Sequence, residues 1–272
     1  MAEQRIHDKN NGGILLTTVA PNPLFEMLQL DAIAEYFPEL VHGFMMSMGL
    51  YFFALFFGLG LGILLAVARH YGGPVISRIA TAYIEFMRGT PLLAQILAVW
   101  VLPFAVNAWL EAQGLPPFNI AWRITFPDIE GVPRTILNTE ILLCAITLGL
   151  NSGAYQAEFF RGSMASISAG QTLAAQSIGM TRSQEIRYVS LPQSLRRAIP
   201  AWSNEAVYLP KYTTVAFFIG VPEFFSMTKL VVSRTYQALA MYTISAIVFL
   251  VLISIITVIL NKIHERTKIP GL

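Results

Sequence analysis

Charge is what this chain most lacks. Only 12% of its 272 residues are Asp, Glu, Lys or Arg, about half the usual share of a soluble domain. With 55% hydrophobic residues and a mean hydropathy of +0.58, a chain of this size folded in water could not hide its apolar surface in one or two cores. A soluble enzyme is excluded on that ground. Cysteine is nearly absent: Cys144 stands alone in an apolar run, so neither an intrachain disulfide nor a cysteine metal cluster can form. No GxxxxGK[ST] phosphate loop and no GxGxxG occur, so no nucleotide is bound through those motifs. The net charge of +2 is mild and lacks the clustered Lys and Arg of a nucleic-acid footprint; no nucleic-acid partner is expected.

What the chain has in excess is long apolar runs. Stretches free of Asp, Glu, Lys, Arg and His cover 43–68, 89–110, 141–157 and 235–261, and a helix crossing a bilayer needs about 20 such residues. The run 141–157 carries Asn151, Ser152 and Gln156, so it should face protein rather than lipid. A fifth run, 198–221, is interrupted by Glu205 and Lys211. Counting it as a span puts eleven Lys and Arg on one side and six on the other, with Lys211 within the membrane, and the positive-inside rule favours that arrangement. The expectation is an all-α integral membrane protein of five transmembrane helices, N-terminus outside and C-terminus cytoplasmic.

Residues 1–40 are expected to be an extracytoplasmic segment. Within it Leu24–Leu40 mixes apolar residues with Glu26, Asp31, Glu35 and Glu39, as a helix lying at the outer interface would. The apolar patch Ile14–Ala20 is short for a signal-peptide core and has no A-x-A-like cleavage site. Residues 41–268 form the membrane domain. Its outer loop, 111–139, holds Pro116, Pro117, Pro127 and Pro133 and reads as irregular. Gly58, Gly60 and Gly62 include a GxxxG pair, suited to close packing inside the bundle or to helix dimerisation. No internal inverted repeat is visible, which weighs against many secondary-transporter folds.

The inner loop, 161–197, is longer than a connector needs. Ser168-Ala169-Gly170 reads as a turn and Gln171–Ile178 as a short helix. Gly179 is placed to end it in the left-handed conformation. Thr181 and Gln184 form a capping box for a second helix running to Leu191-Pro192. Such a unit either docks a partner or packs on its own bundle.

The residues themselves carry a resemblance. Gly170-Gln171-Thr172-Leu173-Ala174-Ala175, then Gly179, then Val189-Ser190-Leu191-Pro192 resembles in spacing the EAA loop of ABC importer permeases. Tyr83-Ile84-Glu85 with Arg88-Gly89-Thr90-Pro91-Leu92-Leu93, Glu158-Phe159-Phe160-Arg161-Gly162, and Arg197-Ala198-Ile199-Pro200 with Asn204 and Lys211 resemble motifs of the polar amino acid subfamily. The resemblance implies a type I importer fold and a multi-pass subunit of the prokaryotic cytoplasmic (inner) membrane. It further implies a second permease, two ATP-binding subunits and an extracytoplasmic amino acid binding protein as partners, besides membrane lipid. ATP and magnesium would then be bound by the partners, and no cofactor or metal is expected on this chain. The ATPase-docking set would be Gly170, Gln171, Leu173, Ala174, Ala175, Ile178, Gly179, Leu191 and Pro192. Two departures stand out: Leu173 replaces the Glu that heads the EAA motif, and Lys211-Tyr212-Thr213-Thr214 replaces Lys, Asp or Asn, Thr/Ser, Ser. Either suits a heterodimer whose other permease keeps the standard residue.

For the substrate path, Asn151, Tyr155 and Glu158 share one face of the third span, and Asn204, Tyr208 and Lys211 repeat that spacing in the fourth. Pro210 removes a helix hydrogen bond beside them, and Thr213 and Thr214 follow. These stripes either line a path for a zwitterion or place Glu158 and Lys211 as a structural ion pair. Arg88–Pro91, placed near the cytoplasmic face, reads as a structural turn in preference to a ligand site. Two rivals to a transport subunit are a membrane-embedded enzyme using His70, Glu85 or Glu158, and a channel; the first lacks clustered intramembrane acids and bases, the second a selectivity loop.

Overall fold

The computed structural model describes residues 4–7, 14–17, 34–117, 123–127 and 133–267. Helix α1 (Phe37–Tyr71) opens with Pro38 and Glu39 in its first turn and closes with Arg69 and His70 in its last, the placement that a helix dipole favours. Gly72 and Gly73 lead into α2 (Pro74–Gly89), followed by α3 (Leu92–Ala112). Helix α4 (Thr139–Ala165) is capped by Asn138, whose side chain accepts from the Ile141 amide at 2.8 Å. Then come α5 (Ala169–Ser177), α6 (Arg182–Glu185), a π-turn (Ile186–Ser190), α7 (Leu191–Tyr212), a 3-10 turn (Thr213–Ile219), α8 (Phe224–Thr235) and α9 (Ala238–Thr267).

Among the described residues α1, α3 and α9 are each long and apolar enough to cross a membrane; the helical run 182–219 qualifies only together with α8, from which it is bent by 54°. Helix α4 does not qualify, yet it is the hub. Leu50, Tyr51, Ala54 and Leu55 of α1 meet Cys144, Ala145 and Leu148 of α4 and Ala206 and Leu209 of α7 in the main core. Close approach of α1 and α4 depends on glycine. A Cβ on Gly62 would lie 2.8 Å from Gln156 Cβ and 3.1 Å from the Ala157 amide, while one on Gly60 would meet nothing within 4 Å. The GxxxG pair Gly58 and Gly62 therefore packs inside the bundle.

Helix α8 is tied to α1 by a fully buried carboxylate. Glu223 accepts from the Phe225 and Ser226 amides at 2.8 and 2.7 Å. Ser47 of α1 donates to it at 3.4 Å and accepts from the Phe224 amide at 3.0 Å.

The chain is not all-α. Strands β1 (Gln4–His7) and β2 (Ile14–Thr17) pair antiparallel, as do β3 (Arg123–Pro127) and β4 (Pro133–Asn138). The patch Ile14–Ala20 thus contributes a strand, and residues 18–20 lie outside the described part. The loop 111–139, expected to be irregular, thus contains a pair of strands despite its prolines. Pro127 and Pro133 face each other at the ends of the two strands, positions where strand proline is tolerated. Of the expected interfacial helix, 24–33 lies outside the described residues, and Phe37–Leu40 is the first turn of α1.

Candidate functional site

Two helices break beside the middle of α4. Helix α2 ends at Gly89 and α3 begins at Leu92, with Thr90 and Pro91 extended between them. Helix α7 contains Pro210 and passes at Tyr212 into the 3-10 turn, which stops at Gly220 in the left-handed region, φ +80°. Between the two breaks lies a cleft of about 300 Å³, lined by Arg88, Thr90, Leu92, Asn151, Tyr155 and Tyr212 among others. Asn151 Nδ2 donates to the Met87 carbonyl at 2.9 Å and to Gln95 Oε1 at 3.0 Å. Gln95 Nε2 donates back to the Met87 carbonyl at 2.8 Å and to Thr90 Oγ1 at 2.7 Å. Side-chain hydrogen bonds thus hold the turn Arg88–Pro91, which stands beside the middle of α4. The 16 residues of α2 span about 24 Å and carry the turn up to mid-height of α4. The Arg88 guanidinium stands 5.3 Å from the centre of the Tyr155 ring, and its buried Nε has no hydrogen-bond partner among the described residues.

Asn151 and Tyr155 reach this cleft; Glu158 does not line it. Its carboxylate takes Arg69 Nη1 at 2.7 Å and Arg161 Nε at 3.0 Å, with Arg88 Nη1 at 4.0 Å. Arg69 also binds Glu85 at 3.2 Å. With three arginines around Glu158, no Glu158–Lys211 pair forms, and that alternative is overturned. Lys211 Nζ instead sits 4.7 Å from the centre of the Tyr208 ring, on an exposed face of α7 shared with Asn204. Tyr212, one turn past Tyr208, joins that face to the cleft. The hydroxyls of Thr213 and Thr214 donate to the Pro210 and Lys211 carbonyls at 2.8 and 2.7 Å, so both are engaged with their own helix.

Beneath the cleft runs a buried polar chain joining α1, α4 and α7. Ser152 Oγ donates to Glu205 Oε1 at 2.7 Å; Gln156 Nε2 donates to Ser152 Oγ at 3.0 Å and to the Leu55 carbonyl at 3.1 Å. Trp202 Nε1 donates to Gln156 Oε1 at 2.7 Å.

In the loop 161–197 Ser168 is the N-cap, accepting from the Gly170 amide at 3.2 Å, so Ala169 and Gly170 belong to helix α5 rather than to a turn before it. Ala175 is its one buried residue. Gly170, Gln171, Leu173, Ala174, Ile178 and Gly179 are exposed, Leu173 by 62% and Ile178 by 73%. Gly179 takes φ +82° and the Thr181–Gln184 capping box is present. The helix does not stop at Leu191-Pro192. The Leu191 amide reaches back to the Ile186 carbonyl, closing the π-turn, and Pro192 falls in the first turn of α7, where its missing N–H is tolerated. Leu191 packs inward against the Ala66, Phe160 and Met164 cluster, while Pro192 is exposed.

The family of binding-protein-dependent transport system inner membrane components matches residues 58–269. The chain belongs to that family. This permease is 30% identical over 245 residues to the glutamine transport system permease protein GlnP of Escherichia coli (strain K12), covering 89% of this chain and 100% of that one. It is 33% identical over 230 residues to the probable amino-acid permease protein YxeN of Bacillus subtilis (strain 168), covering 85% and 91%. Its fold is similar to that of an amino acid ABC transporter crystallised with histidines, at a TM-score of 0.68 and 26% identity, covering 87% of this chain and 98% of that one.

The permease is a transport subunit, not an enzyme. Its carboxylates Glu85 and Glu158 are both held by arginine. Sequence reasoning ranked Arg88 second as a ligand and missed Tyr212 as a cleft residue and Glu205 as a network member. A signal for the last existed: Ser152 and Gln156 share a face at i and i+4, and a carboxylate in an apolar run requires such partners.

Proposed function

We infer that this permease forms part of the translocation path of an ATP-driven importer, and that it carries an amino acid delivered by an extracytoplasmic binding protein. The observation that carries this reading is the polar cleft at the two helix breaks. Irregular backbone at membrane depth is tolerated where it lines a cavity or is buried in protein, and the positively charged Arg88 side chain lines this one. An amino acid brings a carboxylate for that guanidinium, with Asn151, Tyr155 and Tyr212 around it. The names of the relatives, glutamine for one and amino acid for the others, support this substrate class.

Five spans, N-terminus outside and C-terminus cytoplasmic, remain the topology of choice. With Arg88 moved to mid-height, ten Lys and Arg are still on the inner side against six outside. The exposed face of Asn204, Tyr208 and Lys211 would meet a second permease across the path, and the departures at Leu173 and Tyr212 favour a different chain there. Two ATP-binding subunits would bind ATP and magnesium and engage the exposed face of α5.

The test is uptake by the complex reconstituted with its ATPases and binding protein. Arg88→Gln should assemble, because Glu158 keeps Arg69 and Arg161, and should hydrolyse ATP while uptake falls at least about tenfold, the loss of one charge-assisted contact. Wild-type uptake in that variant refutes the cleft as the substrate site. Lys211→Met keeps side-chain length and removes the charge; a stable, ATP-hydrolysing complex that transports poorly is expected. Full transport with Met there removes Lys211 from the path.

A further inference from the structure

The joint between the inner loop and α7 contains a contact that an α-helix cannot make. Successive residues turn about 100° around an α-helix, so positions five apart lie about 140° apart around its axis. Glu185 and Ser190 are five apart, yet the Ser190 hydroxyl donates to Glu185 Oε1. They meet because 186–190 is wound as a π-turn, with the Leu191 amide bonded to the Ile186 carbonyl. Both side chains are buried, Glu185 to 3% and Ser190 to 1% exposure. Thr172 of α5 donates to the same Glu185 oxygen at 3.4 Å, and Gln193 of α7 reaches Gln171 of α5 at 3.4 Å. The exposed helix α5 is therefore fastened to the π-turn by side chains as well as by the chain itself.

The helix beyond the turn continues to Tyr212 with Pro200 and Pro210 inside it. It carries Asn204, Tyr208 and Lys211 on one face, and Glu205 and Trp202 in the buried chain on another. Rewinding 186–190 to α geometry would break the Glu185–Ser190 bond and turn all of these about the helix axis together. A π-turn within a helix often marks a functional site; here the i, i+5 bond holds it in that form.

We propose that Glu185 and Ser190 are positioning residues of the transport cycle: their hydrogen bond latches the π-turn, and with it the rotation of α7, and movement of α5 works the latch through Thr172. This rests on the reading of α5 as the element the ATPase subunits engage. It adds where the movement is converted into rotation and which side chains hold the resting state.

The experiment uses the full reconstituted complex, with two readouts. The first is substrate taken up per ATP hydrolysed. The second is the distance between spin labels on cysteines introduced at the exposed Gln176 and Arg196, with and without ATP; the native Cys144 is buried. Ser190→Ala should still hydrolyse ATP, lose about fivefold in uptake per ATP, as one ordinary hydrogen bond is worth, and shift the resting label distance. Ser190→Thr, which keeps the hydroxyl, should restore both. Thr172→Val should keep the resting distance and blunt its response to ATP. Wild-type uptake per ATP in Ser190→Ala, or an unchanged label distance, overturns the latch. So does a Ser190→Ala complex that fails to assemble beside a Thr172→Val complex that behaves as wild type, because the bond is then structural only. If the wild-type complex takes up no amino acid, the transport reading fails separately, and the label distances alone decide the latch.

Discussion

Helix α9 is the most apolar of the three span-like helices, yet only 11% of its most apolar window is buried inside the fold, against 39% for α1. Helix α4 is too polar to qualify as a span and is lined with buried residues from Ile141 to Met164. From α9 through α1 to α4 hydropathy falls as burial rises, while α3, less apolar than α1, is as little buried as α9. In lipid an apolar surface gains nothing by being covered, so α9 can stand at the rim. Polar side chains such as Asn151, Ser152 and Gln156 must find partners in protein, and that requirement draws α4 to the centre. Here a hydropathy plot reports contact with lipid, not importance to the fold.

That contrast can be tested from its strongest point to its weakest. At the α1–α4 crossing, Gly62→Leu should prevent a folded permease, because even a Cβ there would meet Gln156 and backbone within about 3 Å; overpacking costs about 1–3 kcal/mol and occasionally more. Gly60→Leu, two residues away and open, should fold and express as wild type. Detergent-resistant yield checks both. Ser152→Val removes the donor to Glu205 and should cost about 1–3 kcal/mol, read as a lower midpoint of thermal unfolding in detergent. Gly179→Val forces a β-branched residue into φ +82° at about 1–2 kcal/mol; it should leave membrane insertion intact and weaken ATPase attachment in co-purification. Leu250→Ala on the exposed side of α9 should stay within about 0.5 kcal/mol of wild type in the same unfolding assay. A large effect there would mean that α9 is covered by protein rather than by lipid.

Local features of this chain could be read from its letters. The Thr181–Gln184 capping box and the left-handed Gly179 each need only a few neighbouring residues, and both are as expected. Apolar runs likewise marked α1, α3 and α9, since length and composition are local properties. What escaped depends on partners distant in the chain. Glu205 is satisfied by Ser152, 53 positions earlier, and Glu158 by Arg69, 89 positions earlier; spacing on one helix cannot name either. That the turn at Arg88 stands beside the middle of α4 follows from Met87 meeting Asn151, 64 positions later, and nothing in α2 itself records it. The stop expected at Leu191-Pro192 failed for a different reason. Proline breaks an α-helix because it lacks the N–H that a carbonyl one turn earlier needs, and here the π-turn before it shifts the hydrogen bonding so that the helix continues.

Glu223 and Ser47 have a consequence for how the chain is made. The buried carboxylate that caps α8 is itself braced by Ser47 of α1, 176 residues earlier. A ribosome finishes α1 long before Glu223 emerges, so the first helix must wait in the bilayer with its serine unused. The carboxylate that caps α8 gains that brace only when α8 folds back onto α1. A C-terminal fragment beginning after α4 would lack that brace, and adding α1 as a separate polypeptide should supply it in trans. Closure of the bundle is in this sense a late event, written into one hydroxyl near the start.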